Sequence, residues 1–126
     1  MYTVRKNKYN AKSTFYGGYW YASKLEAGYA QELDLRFKAK DIKKWERQVP
    51  IPIYLHKRLI TTYKIDFVVW ENDGTKTYVE TKGIETYAWR LRWKMFEAII
   101  NATEPENKVE VVKAQNNYLY GRKKRK

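Results

Sequence analysis

The chain has 126 residues, no cysteine and a formal net charge of +12. That length suits one domain with a modest core, and the missing cysteines exclude disulfides and thiolate metal sites. No apolar run approaches the roughly 18 residues of a membrane span and no signal peptide opens the chain, so a cytoplasmic protein without a membrane partner is expected.

The charge sits mainly at the two ends. Residues 1–13 hold Arg5, Lys6, Lys8 and Lys12 and no acid, while Arg122, Lys123, Lys124, Arg125 and Lys126 close the chain. These nine cations leave only three excess charges for the middle. Flexible cationic tails suit phosphate backbones, although they also serve solubility or localisation. Residues 1–13 read as disordered until bound to DNA. Phe15, Tyr16, Tyr19, Trp20 and Tyr21 then surround Gly17-Gly18; such aromatics stack on unpaired bases or pack on the core, and packing is the expected outcome. The expected division is a basic, aromatic arm over 1–22, a domain over 23–116 and a basic tail over 117–126.

Ser23 to about Lys40 reads as a helix, with Ser23 as N-cap and Glu26 completing a capping box. Leu25, Glu26, Tyr29, Ala30, Leu33 and Phe37 fall on one stripe. Glu26 therefore sits on the face that meets the rest of the fold, where an uncompensated charge costs several kcal/mol. Lys44 to Leu55 reads as a strand, and Pro50 and Pro52 make it an edge or a bulged strand. Gln48 either hydrogen-bonds a metal-bound water or faces solvent; solvent is the expected direction. His56, the only histidine, has no partner spacing for a metal or a triad and is expected in a loop, structural or touching phosphate.

Thr61 to Trp70 is a second strand and Tyr78 to Lys82 a third, joined by Glu71-Asn72-Asp73-Gly74-Thr75. A two-residue loop puts Asp66 opposite Thr81. A three-residue loop pairs Glu71 with Thr75, places Gly74 at the left-handed position and sets Asp66 opposite Glu80; this is the preferred register. Two facing carboxylates lie about 5 Å apart at Cβ, a spacing relieved by a proton or a cation. Lys82 follows Glu80 on the same face about 7 Å along the strand. Alone, an acid and a lysine so spaced are most often a solvated ion pair.

Trp89 to about Thr103 is a helix that buries Trp89, Trp93, Phe96 and Ile100 and turns Arg90 and Lys94 outward, to solvent or to phosphate. Val109 to Lys113 is a last strand, expected parallel to the Glu80 strand across a helical crossover. The order αβββαβ implies an α/β fold, a mixed central sheet flanked by helices. No Ser/His/Asp arrangement, P-loop or Cys/His zinc spacing is present.

Ser23-Lys24-Leu25-Glu26, Tyr63-Lys64-Ile65-Asp66-Phe67 and Val79-Glu80-Thr81-Lys82-Gly83, in this order, resemble the motifs of the PD-(D/E)xK nuclease superfamily. The likeness is to its phage members of the T7 endonuclease I type, which resolve Holliday junctions, and it spans about Ser23 to Ile100. Ile65 stands where the name-giving proline would be, and the spacer from Asp66 to Glu80 is longer than in those enzymes. The resemblance implies a restriction-endonuclease-like core and a homodimeric, structure-selective endonuclease acting on branched DNA in a bacterial or phage-infected cytoplasm. It implies Mg²⁺ or Mn²⁺ held by Asp66, Glu80, the Thr81 carbonyl and Glu26, with Lys82 orienting water or stabilising the phosphate. Hard oxygen ligands suit those ions. Arg5, Lys6, Lys8, Lys12, Lys64, Arg90, Lys94, Arg122, Lys123, Lys124 and Arg125 are the expected DNA contacts, and no small-molecule cofactor is expected. The alternatives are a non-catalytic nucleic-acid-binding protein on a degenerate nuclease fold, and a nuclease acting on other DNA structures.

Overall fold

The computed structural model describes residues 3–6 and 12–114. Strands β1 (Thr3–Lys6), β2 (Lys12–Tyr16) and β3 (Tyr19–Tyr21) form a three-stranded antiparallel sheet. The stretch expected to lack structure is therefore ordered over β1 and the start of β2. Gly17 and Gly18, at φ 60° and 92°, make the two-residue turn between β2 and β3, a conformation glycine adopts without a Cβ clash. Tyr21 and Thr14 are fully buried while Tyr19 and Trp20 stay exposed, so packing buries some of these aromatics and leaves others at the surface. Tyr21 packs with α1 (Lys24–Lys38) in one core cluster. Arg122, Lys123, Lys124 and Arg125, like Lys8, lie outside the described residues.

Ser23 caps α1: its Oγ accepts the Glu26 N–H at 3.1 Å. Lys40, at φ 65°, ends the helix by a left-handed turn in which the Asp41 and Lys40 N–H groups return to the Arg36 and Phe37 carbonyls, a Schellman closure without its usual glycine. Of the expected stripe, Glu26, Tyr29, Ala30 and Leu33 are buried, together with Ala27, whereas Phe37 is exposed.

The main sheet has four strands in the order β4 (Ile42–Leu55), β5 (Arg58–Glu71), β6 (Lys76–Lys82) and β7 (Lys108–Lys113). β4, with Pro50 and Pro52, is an edge strand, as proline's missing N–H requires. β5 and β6 are antiparallel and β6 and β7 parallel, with α2 (Tyr87–Thr103) between the last two. The fold is α/β, a mixed four-stranded sheet with two helices.

The β5–β6 loop has the preferred register. Phe67 pairs with Val79 and Trp70 with Lys76, the Glu71 N–H reaches the Thr75 carbonyl at 2.8 Å, and Gly74 has φ 93°. Carried one residue further, this register sets Asp66 against Glu80 on the two central strands, and the Asp66 N–H meets the Glu80 carboxyl.

Each sheet face has its own core. Phe67, Val69, Val79 and Trp45 pack with α1; Val68, Tyr78 and Val111 pack with Trp89, Trp93, Phe96 and Ile100 of α2. In a regular strand residues i and i+2 share a face, yet Ile65 and Tyr63 belong with α2 while Phe67 and Val69 belong with α1. β4 shows the same change between Trp45 and Val49. Both strands change phase at Gln48 and Asp66, which lie between the pairs Arg47–Phe67 and Val49–Ile65, and Gln48 has φ 51°.

Candidate metal centre

The phase change decides what surrounds Asp66. The ladder between β5 and β6 ends at Phe67 and Val79. Beyond it the side chains act as acceptors: Glu80 Oε1 accepts the Asp66 N–H at 3.4 Å, and Asp66 Oδ2 accepts the Thr81 N–H and Thr81 hydroxyl, both at 2.9 Å. Asp66 therefore sits in the fork where the strands part. Glu26 approaches from α1, and Glu80 turns toward α2, where the Trp89 indole N–H donates to its Oε2 at 3.3 Å. The expected flat face carrying Asp66, Glu80 and Lys82 side by side is replaced by this fork, because the alternation slips at Asp66.

Gln48 joins two of the acids. Its Nε2 donates to Glu26 Oε2 at 2.8 Å and to Asp66 Oδ1 at 3.3 Å. The expectation that Gln48 faces solvent is corrected: its left-handed backbone turns the side chain inward. Glu26 keeps part of its capping duty, because Oε1 accepts the Ala22 N–H at 3.3 Å, so its two oxygens serve the helix start and the cluster at once.

The electrostatics follow from burial. Glu26 is 4 % exposed and Glu80 8 %. Desolvation, then the charge of Asp66, pushes each carboxyl up to about 7. Desolvation also raises Asp66, against hydrogen bonds from Thr81 and Gln48 and the charge of Lys82. Asp66 is thus the acid that both glutamates feel. Lys82 lies with its Nζ 5.5 Å from the Trp89 ring centre, so Trp89 braces both Glu80 and Lys82. Burial first, and then the charge of Glu80, pushes the Tyr63 hydroxyl up. Arg47 holds its guanidinium 4.6 and 4.7 Å from the rings of Tyr19 and Tyr21 and donates to the Trp20 carbonyl; its charge works against the rise at Glu26.

Among the described residues no three His, Cys, Asp or Glu side chains are gathered into one ready shell for an ion. The donor chemistry nevertheless fits a hard divalent cation, since two buried carboxylates, Glu26 and Glu80, and the half-buried Asp66 share a neighbourhood in which Lys82 and Arg47 are the cations and neither forms an ion pair within 4.0 Å with any of them. Thr81 is brought in by its N–H and hydroxyl, which hold Asp66. Glu26, Asp66, Glu80 and Thr81 are linked through hydrogen bonds around the fork, directly or through Gln48, and Lys82 lies beside it over Trp89. Lys64, Arg90 and Lys94 are exposed, and Arg90 donates to the Glu85 carbonyl at the start of α2. Arg5 and Lys6 fall on β1 and Lys12 opens β2. Sequence reasoning missed Trp89, Tyr63 and Arg47 as neighbours of the acids. The first two read as core aromatics, and only the topology takes them to Glu80. No helix among the described residues is long and apolar enough to cross a membrane.

A family model described as "Protein of unknown function (DUF1064)" matches residues 6–116. No curated protein and no solved structure matches the chain.

Proposed function

The chain belongs to the DUF1064 family, and we propose that it is a metal-dependent, structure-selective endodeoxyribonuclease of the PD-(D/E)xK type, with a restriction-endonuclease-like core. Its substrate is branched DNA of the Holliday-junction kind, and a homodimer makes the two cuts a junction needs. The observation that carries this reading is the position of Asp66, whose N–H meets Glu80 Oε1 and whose carboxyl is tied to Glu26 through Gln48, with Lys82 two residues past Glu80. Two glutamates raised to about 7 by burial and by Asp66 form a cluster that a divalent cation relieves.

Asp66, Glu80 and Glu26 would hold Mg²⁺ or Mn²⁺ through carboxylate oxygens. When bound, such an ion lowers the pKa of a water ligand and neutralises charge growing on the phosphate. Lys82 orients the attacking water and stabilises the pentavalent phosphate. Gln48 keeps Glu26 and Asp66 at a fixed separation, and Thr81 fixes the orientation of Asp66. Trp89 holds Glu80 and shields it from solvent. Hydrolysis leaves a 5′-phosphate and a 3′-hydroxyl.

One observation favours a second reading. The acids are hydrogen-bonded to protein donors on separate sides of the fork, without a ready shell, as a non-catalytic nucleic-acid-binding descendant of a nuclease would have them. The deciding experiment incubates four-way junction, linear duplex and single-stranded DNA with the protein in Mg²⁺ or Mn²⁺, in EDTA, and with Glu80→Ala. The expected result is junction cleavage abolished by EDTA and by the substitution. Tight binding without cutting in any metal would replace the enzyme with the binding protein, and equal cutting of linear duplex would remove the preference for branches.

A further inference from the structure

We propose that the free end of the β4–β5 hairpin is a duplex-binding arm that enters a groove of the DNA held at the Asp66 cluster; this deepens the nuclease reading and rests on it.

β5 pairs with β6 only from Phe67 onward, so Arg58–Ile65 has β4 on one side alone. Between Asp66 and the hairpin turn lie eight residues, about 27 Å of extended chain. Ile53, Tyr63 and Ile65 anchor the base of the hairpin on Trp93 and Phe96 of α2. Past that anchor every residue from Tyr54 to Thr62 is exposed.

The chemistry of this ribbon is one-sided. From Arg47 through Ile65 there is no Asp or Glu, and Arg47, Lys57, Arg58 and Lys64 are cations. Among them stand four large apolar side chains, Tyr54, Leu55, Leu59 and Ile60, each about half exposed. Tyr54 and Leu55 are consecutive and paired in regular register with Leu59 and Arg58, so they project from opposite faces of the ribbon. Apolar side chains on both faces call for an occupant that surrounds the ribbon. A groove of duplex DNA does this: the major groove admits a two-stranded β-ribbon, and apolar side chains wedge between base steps where a duplex is already deformed. A second copy of the chain fits less well, because two such tips would bring Lys57 and Arg58 against their own copies, and Pro50 and Pro52 interrupt the outer edge of β4.

The test uses the full chain in EDTA, with fluorescent four-way junction and linear duplex, across a salt series. Two variants probe the tip, Lys57→Ala with Arg58→Ala, and Leu59→Ser with Ile60→Ser; all four positions are exposed, and circular dichroism with thermal unfolding checks that each variant folds. The charge variant is expected to bind about tenfold more weakly at 0.15 M salt and to flatten the log–log salt slope by roughly 2, as two lost phosphate contacts require. The apolar variant is expected to bind at least about threefold more weakly with its salt slope unchanged. Binding of both variants within about twofold of the parent overturns the arm. So does a fall in sedimentation coefficient of the apolar variant with unaltered DNA binding, which would make the tip a contact between copies. Cleavage is not read in this experiment. A chain that binds through its arm yet cuts nothing in any metal loses the nuclease reading and keeps the arm.

Discussion

Gln48 lies opposite Asp66 across β4 and β5, with its backbone at φ 51° and its amide nitrogen between Asp66 and Glu26. A left-handed glutamine costs on the order of 1 kcal/mol relative to an ordinary strand conformation. Its two hydrogen bonds to carboxyl groups offset that cost.

Removing the Gln48 side chain should therefore be more harmful than removing the backbone strain is helpful. Gln48→Gly frees the left-handed backbone and loses both hydrogen bonds; Gln48→Ala loses the bonds and keeps the strain. Chemical denaturation is expected to place Ala below Gly, and both below the parent, with Gly→Ala differing by about 1 kcal/mol. If Gly proves more stable than the parent, the bridge between Glu26 and Asp66 contributes less than the backbone cost.

The charge of Asp66 raises both glutamates, so Asp66→Asn should lower both at once. In the absence of divalent ions at pH 8 the variant is expected to be more stable than the parent, by about 1–3 kcal/mol, since a partly desolvated charge is removed from an acid cluster. The same change should weaken Mn²⁺ binding, followed by calorimetry, by at least about 100-fold and abolish cutting. Greater stability with lost binding is the signature of a cluster kept for function; a loss of stability would make Asp66 a structural anchor for Thr81.

The pH dependence has a defined sign. Glu26 and Glu80 stand at about 7 in the folded chain, against 4.5 as the ordinary value. Between those values the unfolded chain has released protons that the folded chain still holds, so stability falls as pH rises. It is greatest below about pH 4.5 from these two groups and fully lost above about 7. Metal-free melting temperature is expected to drop by about 5 °C or more from pH 5 to pH 8, beyond any change in a Glu26→Gln, Glu80→Gln double variant. Mg²⁺ or Mn²⁺ should restore the melting temperature at pH 8 and have little effect at pH 5, where protons compete for the same oxygens.

His56 and Lys57, at φ 48° and 68°, form the whole turn between β4 and β5, since Leu55 pairs with Arg58. This turn wants Asn-Gly. His56→Asn with Lys57→Gly is expected to raise stability by about 1–2 kcal/mol by urea unfolding, through relief of two strained residues. A destabilised variant would mean that the two native side chains hold the tip by contacts stronger than the strain.

Much of this architecture was legible in the chain. Ser23, the Asp73-Gly74 loop and the Trp89-Trp93-Phe96-Ile100 stripe act through neighbours within a few residues, so α1, the β5–β6 register and α2 followed from local spacing. The edge position of β4 followed from its prolines. Burial of Glu26 was legible too, because it shares a stripe with Tyr29, Ala30 and Leu33. The ordered β1 was not, because a four-residue strand with two cations takes its order from pairing with β2, and pairing partners are not written in composition.

Sequence by itself determined which acids, lysine and aromatics this protein has and set Asp66 opposite Glu80, because hairpin register depends on a loop of three residues. Only the tertiary structure decided that Asp66 occupies a fork between two helix-covered faces, that Gln48 turns inward, and that Trp89 and Tyr63 flank Glu80. The physical reason is the slip of strand alternation at Gln48 and Asp66: one left-handed residue on β4 exchanges the faces of everything beyond it, and no periodicity read along a single strand reports what its neighbour's backbone does.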